Sequence, residues 1–572
     1  MALFFGKKRN KYTYKEIAPD EILLDSSNIP KYDKDQFEGR LESPISKPTL
    51  YGIVLVALLI LAIFTFQAGK MQVVNGDEYY IRSTKNILRP VPIFAGRGVV
   101  FDRNNIPLIW NSPKEEFFKR EYATTTGFAH LLGYVQYPTK DSNGFYYRED
   151  FEGVSGVEKY FNDLLKGKSG SRLVEVNARG QVISENTIQN PELGKNINLS
   201  IDARLQHAMF ENIKYIAESV GYKGGAGLIM DVNTGEVLTI TSYPEFSSQL
   251  MSDKESAQDV RKMLTDSRLL FLNRATDGLY TPGSIVKPYV AIGALNEKVI
   301  DPNTVIVTKG FITIPNPYNP DLSTTFRDWK NLGPVNMRQA IAMSSDVYFY
   351  TIGGGYKDQK GLGILNIDKY LQIFGFGLPI ADGFFASKAG NIPTPEWKKK
   401  TFKEDWYLGN TYHTAIGQYG FQVTPIQIVR AVSAIANGGN VLQPAILKGE
   451  QATTTNEINI PSKYFDVIKQ GMRLGVTEGT GKNLNVSYVS IASKSGTAEL
   501  GVAKDRVNSW ITGFFPYEKP KYAFTVIMEN GSVHNLVGAV AVMRRQLDWM
   551  KENTPEYFST GPTSCALGPT CD

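Results

Sequence analysis

The sequence predicts an α+β fold standing on a membrane anchor. Three observations predict it: one uncharged apolar segment near the N-terminus, a strand-turn-strand signal, and a helical run that ends in three further strand signals. No charged residue lies between Lys47 and Lys70, and residues 50–66 read LYGIVLVALLILAIFTF. At ~1.5 Å per residue such a helix reaches roughly 33 Å, enough to cross a hydrocarbon layer of ~30 Å. A cleaved signal peptide begins close to residue 1 and ends at a small-x-small site. Here a polar stretch comes first, and Gln67-Ala68-Gly69-Lys70 offers no such site. Residues 48–69 therefore read as a retained single-pass anchor, with 1–47 as a tail. Lys7, Lys8, Arg9, Lys11 and Lys15 precede the span, but acidic residues follow them and Lys70 and Arg82 lie beyond it, so charge orients the span only weakly.

Beyond the anchor, residues 97–105 (RGVVFDRNN) read as a short strand entering a tight turn, which Asn-Asn tolerates. Residues 133–198 alternate β-rich pieces with glycine turns (LLGYV, GVSGVEKYF, GKSGSRLVEVNARGQVI). They predict a small, elongated β-rich domain over 70–198, closed by a linker near 186–198. A larger domain over 199–552 opens with a helical stretch at 201–220, then strands at 226–231 and 236–242 flanking Val-Asn-Thr-Gly. Helical stretches follow at 339–352, 363–374 and 424–437, the last stopped by Gly438-Gly439. Strands at 489–494, 509–515 and 522–529 complete one antiparallel sheet with helices packed against it, and 553–572 form a tail.

Composition narrows the partners. A chain of 572 residues with 42% apolar content holds more than one core. Net charge is +5 with 21% charged residues, and no long basic run interleaved with aromatics occurs, which argues against nucleic acid. The only cysteines, Cys565 and Cys571, exclude a disulfide framework for the core and a cysteine-rich metal site. They either pair with each other or belong to a tail in which neither has a role.

Three motifs carry chemistry. In residues 280–287 (YTPGSIVK), Ser284 follows Pro-Gly and Lys287 comes three positions later, where an apolar helical stretch begins. Residues three apart share a helix face, so serine and lysine can touch. A serine hydroxyl needs a neighbouring base, and a lysine serves when burial or nearby cations lower its pKa. Pro288, just inside the helix, breaks a local rule, as functional sites often do. Taken alone, Ser284 is better read as a helix cap. In residues 340–350 (AIAMSSDVYFY), Ser344, Ser345 and Asp346 interrupt an apolar helical stretch, as caps or as functional groups. In residues 491–497 (IASKSGT), Lys494, Ser495, Gly496 and Thr497 follow a strand-like run, and the glycine lets another backbone approach. Separately each is ordinary; in this order, about 60 and 150 residues apart, they match the S-x-x-K, S-x-N, K-T-G set of penicillin-recognising serine enzymes.

With these motifs the chain resembles the class B penicillin-binding proteins, peptidoglycan D,D-transpeptidases. The S-x-D form of the second motif is similar to the elongation-specific penicillin-binding protein 2 type. The resemblance covers nearly everything after the anchor. It includes residues 273–275, 278–283, 415–418, 424–427, 435–439, 479–481 and 509–516 around the motifs, and 97–105 and 129–135 in the pedestal, where His130 is then structural. It implies a penicillin-binding/β-lactamase-like transpeptidase domain on a pedestal, with no glycosyltransferase domain between anchor and pedestal.

Carried over by motif, Ser284 would attack the penultimate D-alanine carbonyl of a stem peptide with Lys287 as base. Ser344 would relay protons, and Lys494 would place positive charge near the substrate carboxylate, which Ser495 and Thr497 would bind. The N–H groups of Ser284 and Thr497 would form the oxyanion hole, with Gly496 between them, and an amine from a second stem peptide would resolve the acyl-enzyme. Removing one such donor in other serine enzymes costs ~10²–10³ in rate.

Two features depart from the family pattern. Asp346 stands where most relatives carry asparagine, and the short stretch between Asn105 and Arg120 replaces a larger head subdomain. The resemblance further implies β-lactams as ligands, membrane lipid around the anchor, and a polytopic membrane glycosyltransferase as partner. It places the chain in the cell membrane with the N-terminus cytoplasmic and the catalytic domain outside, and calls for no cofactor and no metal. Alternatives sharing the residues are a serine β-lactamase, a β-lactam sensor, and a non-catalytic scaffold for a membrane glycosyltransferase. Length and pedestal oppose the first two, and intact Ser284, Lys287 and Lys494 oppose the third.

Overall fold

The structure is a computed structural model that describes residues 46–80, 88–114, 117–142, 146–176, 182–316 and 319–558. The basic residues at 7–15, most of the expected N-terminal tail, and both cysteines lie outside the described residues. The chain divides into two units, Met1–Arg89 with Glu175–Gln181, and Pro90–Val174 with Val182–Asp572. In the first, the apolar segment forms the helix Lys47–Gly69, with Ser46 accepting the Thr49 N–H at 3.3 Å and Pro48 in the first turn. None of its side chains is buried, and with the π turn Lys70–Val74 it is long and apolar enough to cross a membrane.

In the second unit the pedestal holds a four-stranded sheet, Ile197–Asn198, Val100–Phe101, Pro107–Ser112, Lys119–Tyr122, in that spatial order. Only its first pairing is parallel. The expected linker near 186–198 begins and ends in strand, since Val182–Gln189 is extended and Ile197–Asn198 closes this sheet, and 190–196 between them belong to no named strand. The segment expected to be β at 153–161 instead makes the helical turn Gly156–Tyr160. A buried ion cluster accounts for the turn. Glu158 accepts Arg97 Nε at 2.6 Å and Arg120 Nε at 2.7 Å, while its backbone carbonyl accepts Arg97 Nη2 at 2.8 Å. A helical turn aims side chain and carbonyl at the same cations, which a strand would send apart. Residues 129–132 likewise form one helical turn, Ala129–Leu132, stopped by Gly133 at φ 72°. His130 packs edge-on against Phe246 at 5.2 Å, and burial, with Arg274 nearby, pushes its imidazole down to about 4.

The catalytic region is built on a five-stranded antiparallel sheet of β1 (Gly224–Asp231), β2 (Val237–Tyr243), β3 (Ala492–Leu500), β4 (Arg506–Phe515) and β5 (Tyr522–Ser532). The spatial order is β2-β1-β5-β4-β3, so β3 is an edge strand. Alternation along β1 sends Ala226, Leu228 and Met230 into one core and Ile229 into another, as a sheet covered on both faces requires. The wholly buried helix Pro425–Ala436 packs on one face. Ala203–Val220 and Ala539–Asn553 cover the other, joined by Asn212 Nδ2 donating to Gln546 Oε1 at 3.1 Å.

Two amphipathic helices, Ser462–Thr477 and Ala539–Asn553, add to the expected set. The helix expected over 339–352 is two, Met337–Met343 and Asp346–Gly354, because Ser344 takes the left-handed conformation at φ 57° and ψ 39°.

Candidate active site

The turn that carries Ser284 is wedged between two backbones. Gly283–Val286 forms a 3-10 turn that runs into the helix Lys287–Asn296, so Ser284 precedes the helix and Lys287 opens it. On one side Gly283 N–H donates to Gly417 O at 2.9 Å, and on the other the turn lies against β3. Gly496 lets β3 come this close, since a Cβ there would lie 2.9 Å from Ile285 Cγ2 and 3.0 Å from Pro282 O. Behind it, Trp510 Nε1 donates to Thr281 O at 3.0 Å. Gly417 has φ +77°, and a Cβ on it would fall 2.2 Å from Gly283 O. We expect Gly417→Ala to push the turn out of place and slow acylation of Ser284 about 10²-fold, the usual cost of misplacing reacting atoms by ~1 Å. The rate of covalent penicillin labelling measures it, with circular dichroism showing that the fold persists.

The structure gathers the expected side chains into one cluster. Lys287 Nζ donates to Ser344 O at 2.7 Å and to Asp346 Oδ1 at 2.7 Å, and lies 3.3 Å from Ser344 Oγ. Lys494 Nζ lies 2.9 Å from the same Ser344 Oγ and donates to Ser495 O at 2.7 Å. Ser344 thus bridges two lysines that are almost wholly removed from solvent, at 0% and 1% exposure. Ser284 is partly exposed and its hydroxyl makes no hydrogen bond among the described residues. No hydrogen bond joins Ser284 to Lys287 among the described residues, and the Lys287 amine turns to the carbonyl and carboxylate of the second motif. Catalytic hydrogen bonds in ligand-free enzymes often close only when substrate binds. Ser495 Oγ donates to Thr480 Oγ1 at 2.7 Å, and Thr497 is exposed on the open edge of β3.

Burial, with the Lys287 charge second, holds the Lys494 amine well below the usual lysine range. Burial pushes the Asp346 carboxyl above the usual carboxylate range, while Lys287 pulls it back down. No group of three or more metal-ligating side chains occurs among the described residues.

Sequence reasoning missed the braces. Asp328 Oδ2 accepts Ser345 Oγ at 2.7 Å and the Val347 N–H at 3.0 Å, and Trp329 Nε1 donates to Met343 O at 3.1 Å. These contacts fix the break between the two helices, with Ser345 accepting the Tyr348 N–H at 3.2 Å as the second helix's cap. The polar interruption thus caps the second helix and also reaches both buried lysines. Thr480 lies in the 479–481 run that the resemblance already covers, and its contact with Ser495 is what the sequence did not show.

A half-buried serine on a tight turn, with two buried lysines bridged by a second serine, defines a penicillin-recognising serine acyltransferase. The Penicillin binding protein transpeptidase domain matches residues 225–546, and the Penicillin-binding Protein dimerisation domain matches 114–199. The chain belongs to the penicillin-binding protein transpeptidase family.

Among its relatives, the Peptidoglycan D,D-transpeptidase MrdA of Haemophilus influenzae is 32% identical over 72% of this chain, and the match spans 66% of that protein, just under two thirds. MrdA of Salmonella typhimurium is 29% identical over 90% of this chain and 96% of that protein. Among solved structures, Pseudomonas aeruginosa PBP2 in complex with WCK 5153 superposes with a TM-score of 0.66 at 29% identity, covering 81% of this chain and 96% of that one. The Helicobacter pylori PBP2 in complex with MreC gives 0.67 at 27% identity, covering 81% and 99%.

Proposed function

We propose that this chain crosslinks peptidoglycan as a serine D,D-transpeptidase of cell elongation. The observation that carries the reading is the convergence of Ser284, Lys287, Ser344 and Lys494 at one edge of the sheet, which agrees with relatives named peptidoglycan D,D-transpeptidase. Ser284 Oγ attacks the penultimate D-alanine carbonyl, its proton passes to the lysine–serine cluster, and terminal D-alanine leaves with a proton on its new amine. A second stem peptide's amine then takes the acyl group and frees Ser284. Backbone N–H groups of Ser284 and Thr497 stabilise the oxyanion. Support for that pairing comes from the close approach of the two backbones, since a Cβ on Gly283 would fall 2.8 Å from Thr497 O. Lys494 and the hydroxyls of Ser495 and Thr497 hold the substrate carboxylate.

Residues 48–69 serve as the anchor, 70–198 as pedestal and 199–552 as the transpeptidase domain, a division supported by the extents of the two family matches. The substrate's place in the wall puts the catalytic domain outside the cytoplasmic membrane and the N-terminus inside. Because no polymerising domain lies between anchor and pedestal, the glycan strands come from a polytopic membrane glycosyltransferase. An MreC-like protein is a further partner by analogy with the Helicobacter complex. Purified chain incubated with wall polymer bearing stem pentapeptides is expected to give peptide dimers and free D-alanine, detected by mass spectrometry. Shortened monomers without dimers would make it a carboxypeptidase, and neither product would overturn the reading.

A further inference from the structure

The cluster holds one more hydrogen-bonding instruction than catalysis by Lys287 as a resting base requires. Two of the acceptors around Lys287 Nζ, the Ser344 carbonyl and the Asp346 carboxylate, can only accept, and both lie at 2.7 Å. The third neighbour is Ser344 Oγ at 3.3 Å. Three acceptors around one nitrogen suit an ammonium with three protons. Lys494 Nζ meets only one obligate acceptor, Ser495 O at 2.7 Å, and its other neighbour is Ser344 Oγ at 2.9 Å. A hydroxyl donates as readily as it accepts, so a neutral amine with its lone pair toward Ser344 satisfies that arrangement. Two buried ammonium groups on one hydroxyl would repel each other, and of the two only Lys287 has a carboxylate partner among the described residues. In the free enzyme the proton therefore belongs to Lys287.

Resting on the transpeptidase reading, we propose that Asp346 is a positioning residue that keeps Lys287 protonated and idle until a substrate carboxylate arrives beside Lys494, whereupon one proton crosses from Lys287 to Lys494 through Ser344. The balance is simple. The Lys287 N–H bond breaks as a new O–H bond forms on Ser344 Oγ, the old O–H bond breaks, and its proton forms an N–H bond on Lys494. Ser344 ends as it began, Lys287 is neutral, and Lys494 carries the charge opposite the bound carboxylate. The two protons left on Lys287 stay with Ser344 O and Asp346, and once the Ser344 hydroxyl turns back toward another acceptor the Lys287 lone pair is free to take the Ser284 proton. The nucleophile is thereby armed by the same carboxylate that identifies a stem peptide.

Other charges face this cluster from every side. Asp346 feels Lys287 from the nucleophile's helix, Asp328 from the preceding loop and Lys494 from β3. Tyr350 on its own helix and His413 on Leu408–Ala415 feel Asp346 in turn, and Glu499 and Lys504 on the β3–β4 hairpin act on His413. Among the described residues none but Asp346 forms an ion pair with Lys287 or Lys494.

The test is the pH dependence of the limiting rate of Ser284 acylation in the unmodified, anchored protein, using benzylpenicillin and its methyl ester. With the carboxylate present, the singly protonated pair is already active; with the ester, Lys287 must lose its proton to solvent. The ester's rising limb is therefore expected about one to three pH units above that of benzylpenicillin, the span by which one close opposite charge shifts a pKa. Coincident limbs would overturn the proposal. In Asp346→Asn the ester's limb is expected to move to lower pH, because a neutral amide no longer favours the ammonium. An ester limb that stays in place in the variant would also overturn it. Failure of both compounds to acylate Ser284 would instead remove the transpeptidase reading itself.

Discussion

Replacing Ser284 by alanine is expected to abolish covalent labelling by fluorescent penicillin and to lower crosslinking at least ~10⁴-fold, the scale on which single catalytic residues act in other serine enzymes. Its stability should stay within about 0.5 kcal/mol, since a hydroxyl that makes no hydrogen bond and is partly exposed supports little of the fold. The pair of readouts matters. Loss of labelling with an unchanged melting curve places the nucleophile at this residue, whereas undiminished labelling of the variant would sink the mechanism.

The largest expected effect on stability lies in the pedestal. Glu158→Ala leaves Arg97 and Arg120, 2% and 0% exposed, without the carboxylate that both of them bind. Breaking a buried ion cluster by removing one partner costs about 3–5 kcal/mol, because uncompensated charge stays buried. Burial lowers the Arg97 pKa and Glu158 opposes it, so the carboxylate offsets part of the cost of keeping that cation out of water. Thermal unfolding followed by circular dichroism should show a clear drop in midpoint. Glu158→Gln, which keeps the shape and one acceptor, should lie between the variant and the unmodified chain. Equal midpoints for all three would mean that solvent reaches the arginines.

Much of the site was legible because its chemistry is concentrated in three short runs whose order and spacing are specific. Hydrogen bonds join Lys287, Ser344, Asp346 and Lys494, while β3 at Ala492–Leu500 starts and ends later than the strand expected over 489–494, so that the third motif lies within it. What stayed hidden depends on contacts between distant parts of the chain. The spacing of Ser284 and Lys287 says that they can share a face, but not that Asp346, far along the chain, takes the amine. Asp328 and Trp329 lie in a loop with no pattern of its own, and only the folded chain shows them bracing Ser345 and Met343. Gly156–Tyr160 reads as β locally, and the two buried arginines override that preference. The helix Ala539–Asn553 was readable in principle, since Val542, Met543, Gln546, Leu547 and Met550 recur at helical spacing and all are buried.

Ser344 joins two demands in one side chain. Its left-handed backbone, φ 57°, is tolerated best by glycine, asparagine and aspartate, while its position between two amines requires a hydroxyl. Selection for heat resistance and selection for growth therefore pull this residue in opposite directions. A library screened only for robust folding would drift away from serine here, and would yield sturdy proteins that build no wall.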